Sequence, residues 1–373
     1  MVDSIIDQKR RYLDQLAITR CCIESRSERM NMGMLVDGRW VDADSTMIDG
    51  RFVRPESMFR QGLDGIAGRL RAQPGRYWLI ASSSCPWSHR SLLLRALKRL
   101  EHAVPVQIAG GERRQGYAVA GGASWVVPGC GSRVRHLHEI YRLSAPRYTG
   151  RATVPVLWDS QACRIVSNES SHIMRAFDAA DANVAGAFTL VPPAFRGRID
   201  ALNAALQAGL FNAVYRAGFA QRQDAYEEAV ESVFAMLDQL ERRLANARYL
   251  FGLIITETDW RLFPTLVRFD AVYHGHFKCS RRRLIDYPHL WAYARDLYSW
   301  LGVAATVDLD VIRNGYYWHD RSVNPFGIIA AAPDADWSAA HGRERFGPAR
   351  VTLASGQAIE VDPMTLQCGE AVR

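Results

Sequence analysis

The clearest periodicity in the chain lies between Tyr226 and Leu244. Tyr226, Val230, Val233, Phe234, Leu237, Leu240 and Leu244 recur at helical spacing and make one apolar face. Further on, Thr256-Glu257-Thr258-Asp259 reads as a capping box opening a buried helix through Leu262, Phe263, Leu266 and Phe269. Pro264 predicts a kink within that helix. A third helix is expected over 290–300, so the stretch 195–325 reads as an all-helical domain. Ahead of it the pattern alternates. Short apolar runs predict strands at 77–81, 104–109, 154–158 and 164–166, and helical spacing predicts helices at 86–100 and 169–179. This βαβ…ββα order implies a small α/β domain over 76–190. The glycine-rich stretch 110–150 reads as one long loop, and such loops are usually functional or flexible. Residues 1–75 read as a loosely ordered extension followed by an irregular arm, with Met30, Met32 and Met34 as alternative starts. Residues 326–373 read as an irregular tail.

Charge changes this picture little. The formal net charge is +7, but lysine supplies only Lys9, Lys98 and Lys278, and the arginines are dispersed. The tightest run, Arg281-Arg282-Arg283, reads as a solvated surface, so no nucleic-acid partner is expected. No apolar run is long enough to span a bilayer and 1–29 lacks a signal-peptide core, which implies a cytoplasmic protein without a membrane partner. The seven cysteines (21, 22, 85, 130, 163, 279, 368) show neither disulfide framework nor zinc spacing, as expected of reduced thiols. His274-Gly275-His276 lacks further ligands nearby, so no metal is assigned; that pair is expected to support a turn or a dimer contact.

One cysteine stands apart. Cys85 follows the apolar run 77–81 and three serines, and precedes Pro86-Trp87-Ser88-His89-Arg90 and an apolar-rich helix. Proline favours the first helical position, which places the thiol at a helix N-terminus, where free N–H groups and the helix dipole favour a thiolate. Ser88 stands where a second cysteine of a dithiol motif would be. A lone nucleophilic thiol draws its partner sulfur from outside, and glutathione is the common source. A buried structural cysteine is the plainer alternative.

Larger motifs surround it: Thr153-Val154-Pro155-Val156-Leu157-Trp158-Asp159, Asn168-Glu169-Ser170-Ser171, Tyr249-Leu250-Phe251-Gly252, the block from Arg268 to Cys279, and Asn324-Pro325-Phe326-Gly327-Ile328. Together with Cys85-Pro86-Trp87-Ser88-His89-Arg90 they resemble the glutathionyl-hydroquinone reductases, the Xi class of the glutathione transferase superfamily, over roughly 32–347. The resemblance implies a thioredoxin-like α/β domain plus an all-α domain, and a homodimer. It also implies glutathione as co-substrate, with no tightly bound cofactor, and an aromatic, quinol-type second substrate. Cys85 is then the nucleophile of a reductive deglutathionylation that passes through a Cys85–glutathione mixed disulfide. Pro155 matches a cis-proline that presents the Val154 backbone to glutathione. Glu169 and Ser170 match the pair that takes the γ-glutamyl group, Arg151 matches a carboxylate partner, and Trp87 and Tyr117 complete the glutathione side. Tyr215, Tyr316 and Tyr317 match acceptor-pocket tyrosines. Tyr117 stands where the family commonly has tryptophan, and Gln61-Gly62 replaces its Asn-Trp, which implies a roomier pocket. The competing readings are a transferase or lyase acting on a specialised aromatic metabolite, and a non-catalytic interaction module.

Overall fold

A computed structural model of the chain describes residues 33–42, 46–60, 63, 65–111, 113, 115–182, 184 and 186–365. The expected extension 1–30, the alternative starts at Met30 and Met32, Gly62 and residues 366–373 lie outside these.

The arm is built from two hairpins, β1 (Met34–Val36) with β2 (Arg39–Val41) and β3 (Met47–Ile48) with β4 (Arg51–Phe52), followed by helix α1 (Ile66–Ala72). It has more order than its sequence suggests because Leu35 and Phe52 are buried anchors. Strand β5 (Tyr77–Ala81) then leads through Ser82–Ser84 into α2 (Pro86–Leu97). The helix stops short of the expected 100, since Arg99 adopts a positive φ of 46° that no helix tolerates.

Strand β6 (Val106–Gly110) pairs parallel to β5, and β7 (Ala118–Val119) pairs antiparallel to β6. The stretch expected to be one loop also contains the hairpin β8 (Trp125–Val126) and β9 (Arg133–Val134) and helix α3 (Leu137–Ser144). Only Leu137, Ile140 and Tyr141 carry that helix's buried apolar stripe, one repeat that the surrounding glycines obscure in sequence. The hairpin β10 (Val156–Asp159) and β11 (Arg164–Ser167) completes a sheet of order β11-β10-β5-β6-β7, with α4 (Ser170–Asp178) after it. Helices α2 and α4 pack together on this sheet, and α1 packs against α4. Leu79, Leu93, Leu94, Ile173 and Phe177 form that contact.

After the short strand β12 (Phe188–Thr189) the chain turns helical: α5 (Arg196–Leu206), α6 (Ala213–Phe219), α7 (Gln223–Leu244), α8 (Glu257–Arg268), α9 (Pro288–Tyr298) and α10 (Leu309–Tyr317). The face read from the sequence on α7 is the buried one. The capping box of α8 is present, with Asp259 accepting from Thr256 N at 2.8 Å and Thr256 Oγ1 at 2.9 Å. Its carboxylate also accepts from Leu250 N and the Tyr293 hydroxyl, which ties the start of α8 to α9. Pro264 lies inside α8, and the chain continues past Arg268 as a π-helical turn, Phe269–Tyr273.

The tail is not irregular throughout. Strands β13 (Ala349–Leu353) and β14 (Ala358–Val361) pair with each other, and β13 pairs with β12. Both are short, and β13 finds β12 more than 150 residues upstream, so little local pattern announces them. Among the described residues no helix is long and apolar enough to cross a membrane.

Candidate active site

Cys85 is the N-cap of α2, with extended φ/ψ of −82° and 125°, and Pro86 opens the helix. The residue is 8 % exposed, and its Sγ lies 3.8 Å from the carbonyl oxygen of Val154. That carbonyl belongs to the cis Val154–Pro155 peptide, just before β10. The loop carrying the thiol is fixed from the helical side. Arg268, fully buried at the end of α8, donates through Nε to Ser84 O and through Nη2 to Ser83 O, both at 3.1 Å. Its Nη1 faces His89 Nδ1 at 3.0 Å and donates to Pro264 O. His89 therefore carries its proton on Nε2 and donates it to Thr306 Oγ1 at 2.8 Å. Burial, and then the Arg268 charge, push the His89 pKa well below the ordinary histidine value, so it is a neutral structural ring.

Glu169 caps α4 and accepts from Ser171 N at 3.1 Å, Ser171 Oγ at 3.0 Å and Ser57 Oγ at 3.0 Å. Burial acts to raise the pKa of this carboxyl, but the bonds from Ser171 and Ser57 and the nearby Arg90 charge outweigh it and hold it below the usual range. Ser170, beside it in the first turn of α4, is buried. The arm takes part here: Phe59 N donates to Asn168 Oδ1, and Asn168 N donates to Phe59 O. Nothing in the sequence marks Ser57 as a neighbour of Glu169, because the contact spans 112 residues.

Near the sulfur lies an aromatic cluster. Trp87 packs on Phe211 and Tyr215, with the Arg54 guanidinium 4.8 Å from both the Trp87 and Tyr215 rings. The Tyr215 and Tyr316 hydroxyls are 2.6 Å apart, and the Tyr273 and Tyr316 hydroxyls 3.4 Å apart. Burial first, then mutual proximity, raises the pKa of Tyr215 and Tyr316 well above the ordinary value, and burial raises that of Tyr273. All three stay protonated donors at neutral pH. Tyr215 and Tyr273 are both close enough to Cys85 to feel its charge. Tyr317 does not join this cluster. Its hydroxyl accepts from the His276 N–H, and its ring lies 4.7 Å from that of His276. His276 itself faces Asp320, with Nε2 3.4 Å from Oδ2.

Tyr117 and Arg113 also stand near the sulfur. The Arg113 guanidinium lies 4.5 Å from the Tyr117 ring centroid and donates to Gly315 O at 3.4 Å. Burial works against the Arg113 charge, but Tyr117, Asp320 and Cys85 outweigh it and keep the group cationic. Burial pushes the Tyr117 pKa up to about 12, against the pull of Arg113 and Arg151. Arg151 thus stands near Tyr117, half-buried.

The family model for the glutathione S-transferase N-terminal domain matches residues 84–180, and that for the C-terminal domain matches 223–296. The glutathionyl-hydroquinone reductase PcpF of Sphingobium chlorophenolicum is 46 % identical over 81 % of this chain and 96 % of its own length. The glutathionyl-hydroquinone reductase YqjG of Escherichia coli is 42 % identical over 85 % of this chain and its full length. The chain is a Xi-class glutathione transferase of the glutathionyl-hydroquinone reductase family. Solved structures agree. The Xi-class enzyme of Natrialba magadii superposes with a TM-score of 0.73 at 38 % identity, covering 84 % of this chain and 97 % of the other. The glutathione-bound structure of YqjG superposes with 0.72 at 40 % identity, covering 84 % and 99 %.

In this Xi-class chain, then, the α/β sheet region carries Cys85, Val154, Glu169 and Ser170, and the helical region supplies Tyr215, Tyr273 and Tyr316. Sequence reasoning passed over Tyr273, Arg113, Arg54, Ser57 and Arg268. Tyr273 and Arg268 lie within the long 268–279 block, whose length signals importance without saying which residues turn toward the thiol. Arg54, Ser57 and Arg113 lie in segments without periodicity, and only the fold brings them in.

Proposed function

We propose that this enzyme removes glutathione from glutathionyl-hydroquinones, with Cys85 as the nucleophile. The observation that supports it most directly is a lone thiol at the start of α2, beside a carbonyl that suits strand-like pairing with a peptide and near a cluster of protonated phenols. The Cys85 thiolate attacks the glutathione sulfur of the conjugate in its keto tautomer, in which the ring carbon bearing sulfur already carries a proton. The sulfur–carbon bond breaks, its electron pair flows to the ring oxygen, and the hydroquinone leaves as a phenolate. Cys85 remains in a disulfide with glutathione. A second glutathione, as thiolate, attacks that disulfide, releasing glutathione disulfide and the Cys85 thiolate. The aromatic substrate is reduced by two electrons and two glutathiones are oxidised.

The residues divide accordingly. Val154 N–H and C=O pair with the cysteinyl part of glutathione, and Pro155 holds that backbone in place. Glu169 takes the γ-glutamyl ammonium, Ser170 and the start of α4 take its carboxylate, Arg151 takes the glycyl end, and Trp87 and Tyr117 cover the tripeptide. Arg113 supplies a cation near Cys85. Tyr215, with Tyr316 and Tyr273 behind it, donates to the departing oxyanion. Tyr317, seated on the His276 amide, shapes the pocket rather than touching substrate. The reading places the enzyme in the reducing cytosol as a homodimer, which sedimentation of the purified chain tests.

The decisive experiment is a panel of glutathionylated quinols assayed for glutathione disulfide with the wild type and Cys85→Ser. Disulfide production is expected from the wild type and lost in the variant. Residual turnover above a few per cent in Cys85→Ser would falsify the mixed-disulfide route. Conjugates that accumulate instead of disappearing would show a transferase.

A further inference from the structure

Helix α3 opens with a group of donors that the reaction does not use. The sequence pattern draws attention to His274 and His276, but the fold gathers a different set. One donor atom each from His136, His138 and Glu139 lies within 4.8 Å of the others. His138 is 6 % exposed, and among the described residues neither of its ring nitrogens has a hydrogen-bond partner. The ring stacks 4.7 Å from that of Trp40, in β2, and 5.6 Å from that of His136 at an interplanar angle of 10°. Packing alone would be served as well by an apolar ring, whereas a buried imidazole with two idle nitrogens leaves its polar capacity unused. Glu139 is held ready beside it. Its Oε1 accepts from the backbone N–H groups of Arg135 and His136, both at 2.8 Å, and lies 3.8 Å from His136 Nδ1. The positive end of the helix dipole opposes a cation here, and the carboxylate offsets it.

We propose that His136, His138 and Glu139 form a binding site for a divalent transition-metal ion of the zinc class, with solvent in the remaining position. Two imidazoles and one carboxylate are a common donor set for such an ion. Tetrahedral donors around zinc stand about 3.3 Å apart, so the three must draw together by an ångström or so. His136 and Glu139, whose side chains are 26 % and 31 % exposed, have room to do that around the fixed His138 ring. The ion fastens the β1–β2 hairpin, through Trp40 and His138, to the start of α3. That helix in turn supports the glutathione side: Leu137 N donates to Tyr117 O at 2.9 Å, and the Tyr141 hydroxyl donates to Thr153 O at 2.7 Å, next to Val154. The site shares no residue with the Cys85 pocket, so its failure leaves the reductase reading untouched.

Titration calorimetry of zinc chloride into the chelator-stripped, full-length protein tests this, with cobalt(II) as an absorbance probe. One equivalent is expected to bind, without a sulfur-to-cobalt charge-transfer band, and to raise the melting temperature. His138→Phe keeps a ring on Trp40, and His136→Gln alters a partly exposed side chain, so one of the two variants is expected to fold normally. Each is expected to weaken zinc by about tenfold or more and to lose the thermal shift. His274→Gln and Cys85→Ser should bind zinc like the wild type. No binding by the wild type, unchanged affinity in both His136→Gln and His138→Phe, or loss of binding in Cys85→Ser each overturns the site.

Discussion

Glu169 illustrates how a single side chain is prepared for the ammonium group we propose it takes. Three hydrogen bonds already fall on its carboxylate, two of them from Ser171. These bonds, with the Arg90 charge, more than cancel the effect of burial, so the group stays ionised into the acidic range. The sign follows directly. A carboxyl whose folded-state pKa is depressed contributes stability above its unfolded value and loses it as pH falls through the folded value. Glutathione affinity should therefore hold as pH drops toward the ordinary carboxylate range. On the proposed reading, Glu169→Ala removes the partner of the glutathione ammonium and is expected to cost roughly 1.5–3 kcal/mol, about a ten- to hundredfold weaker dissociation constant. Unchanged affinity by calorimetry would remove Glu169 from the site. The three phenols obey a proton count. If Tyr273 donates to Tyr316 and Tyr316 to Tyr215, the Tyr215 hydrogen remains for an incoming oxyanion. Tyr215→Phe should then lower kcat by up to about 10² while leaving the glutathione dissociation constant nearly unchanged. Tyr317→Phe should affect kcat far less, and equal losses in the two variants would contradict this division of roles.

Two elements meet at Gly315. A Cβ added there would lie 2.2 Å from Ser84 Cβ, so α10 can cross the thiol-bearing loop only because this position has no side chain. Gly315→Ala must displace either the helix or the loop. A destabilisation of about 1–3 kcal/mol is expected from the overpacking, together with a loss of turnover that a glutathione-binding assay alone would not reveal. A denaturant midpoint equal to wild type would show that the crossing is looser than this. The neutral His89 links α2 to α8 and to Thr306. Its folded-state pKa is depressed, so the unfolded chain binds more protons below about pH 6.5 and stability declines as pH falls from there. In His89→Gln that decline between neutral pH and the carboxylate range should be shallower, as read from urea midpoints at stepped pH. At this scale the sequence was informative where an element carries its own signal. Strand β5 runs over the residues expected, α2 begins at Pro86 and the α8 capping box forms, because alternation, proline at N1 and a Thr-x-x-Asp pattern are all local. Helix α3 and the strands β12 to β14 were not legible. The first has one apolar repeat, and the others are short segments, of which β12 and β13 find each other only across a long stretch of chain.

Across the whole molecule, the site is assembled from parts of the chain that lie far apart in sequence. Cys85 and Val154 come from the sheet region, the phenols come from α6, the π-helical turn after α8 and α10, and Ser57 comes from the arm. Motifs disclosed the first group, and to a degree the second, because their residues sit in recognisable blocks. They could not disclose the arm or Arg113, whose roles exist only after folding. Arg268 joins the two regions, since a side chain of the helical region completes the hydrogen bonds of the Ser83–Ser84 backbone. That has a consequence for recombination. Chimeras that join the sheet region of one relative to the helical region of another inherit the thiol from one parent and its brace from the other. The natural unit of exchange is therefore not either region but the pair formed by the 82–89 loop and the end of α8. Crossovers that keep this pair from a single parent should retain turnover more often than those that split it.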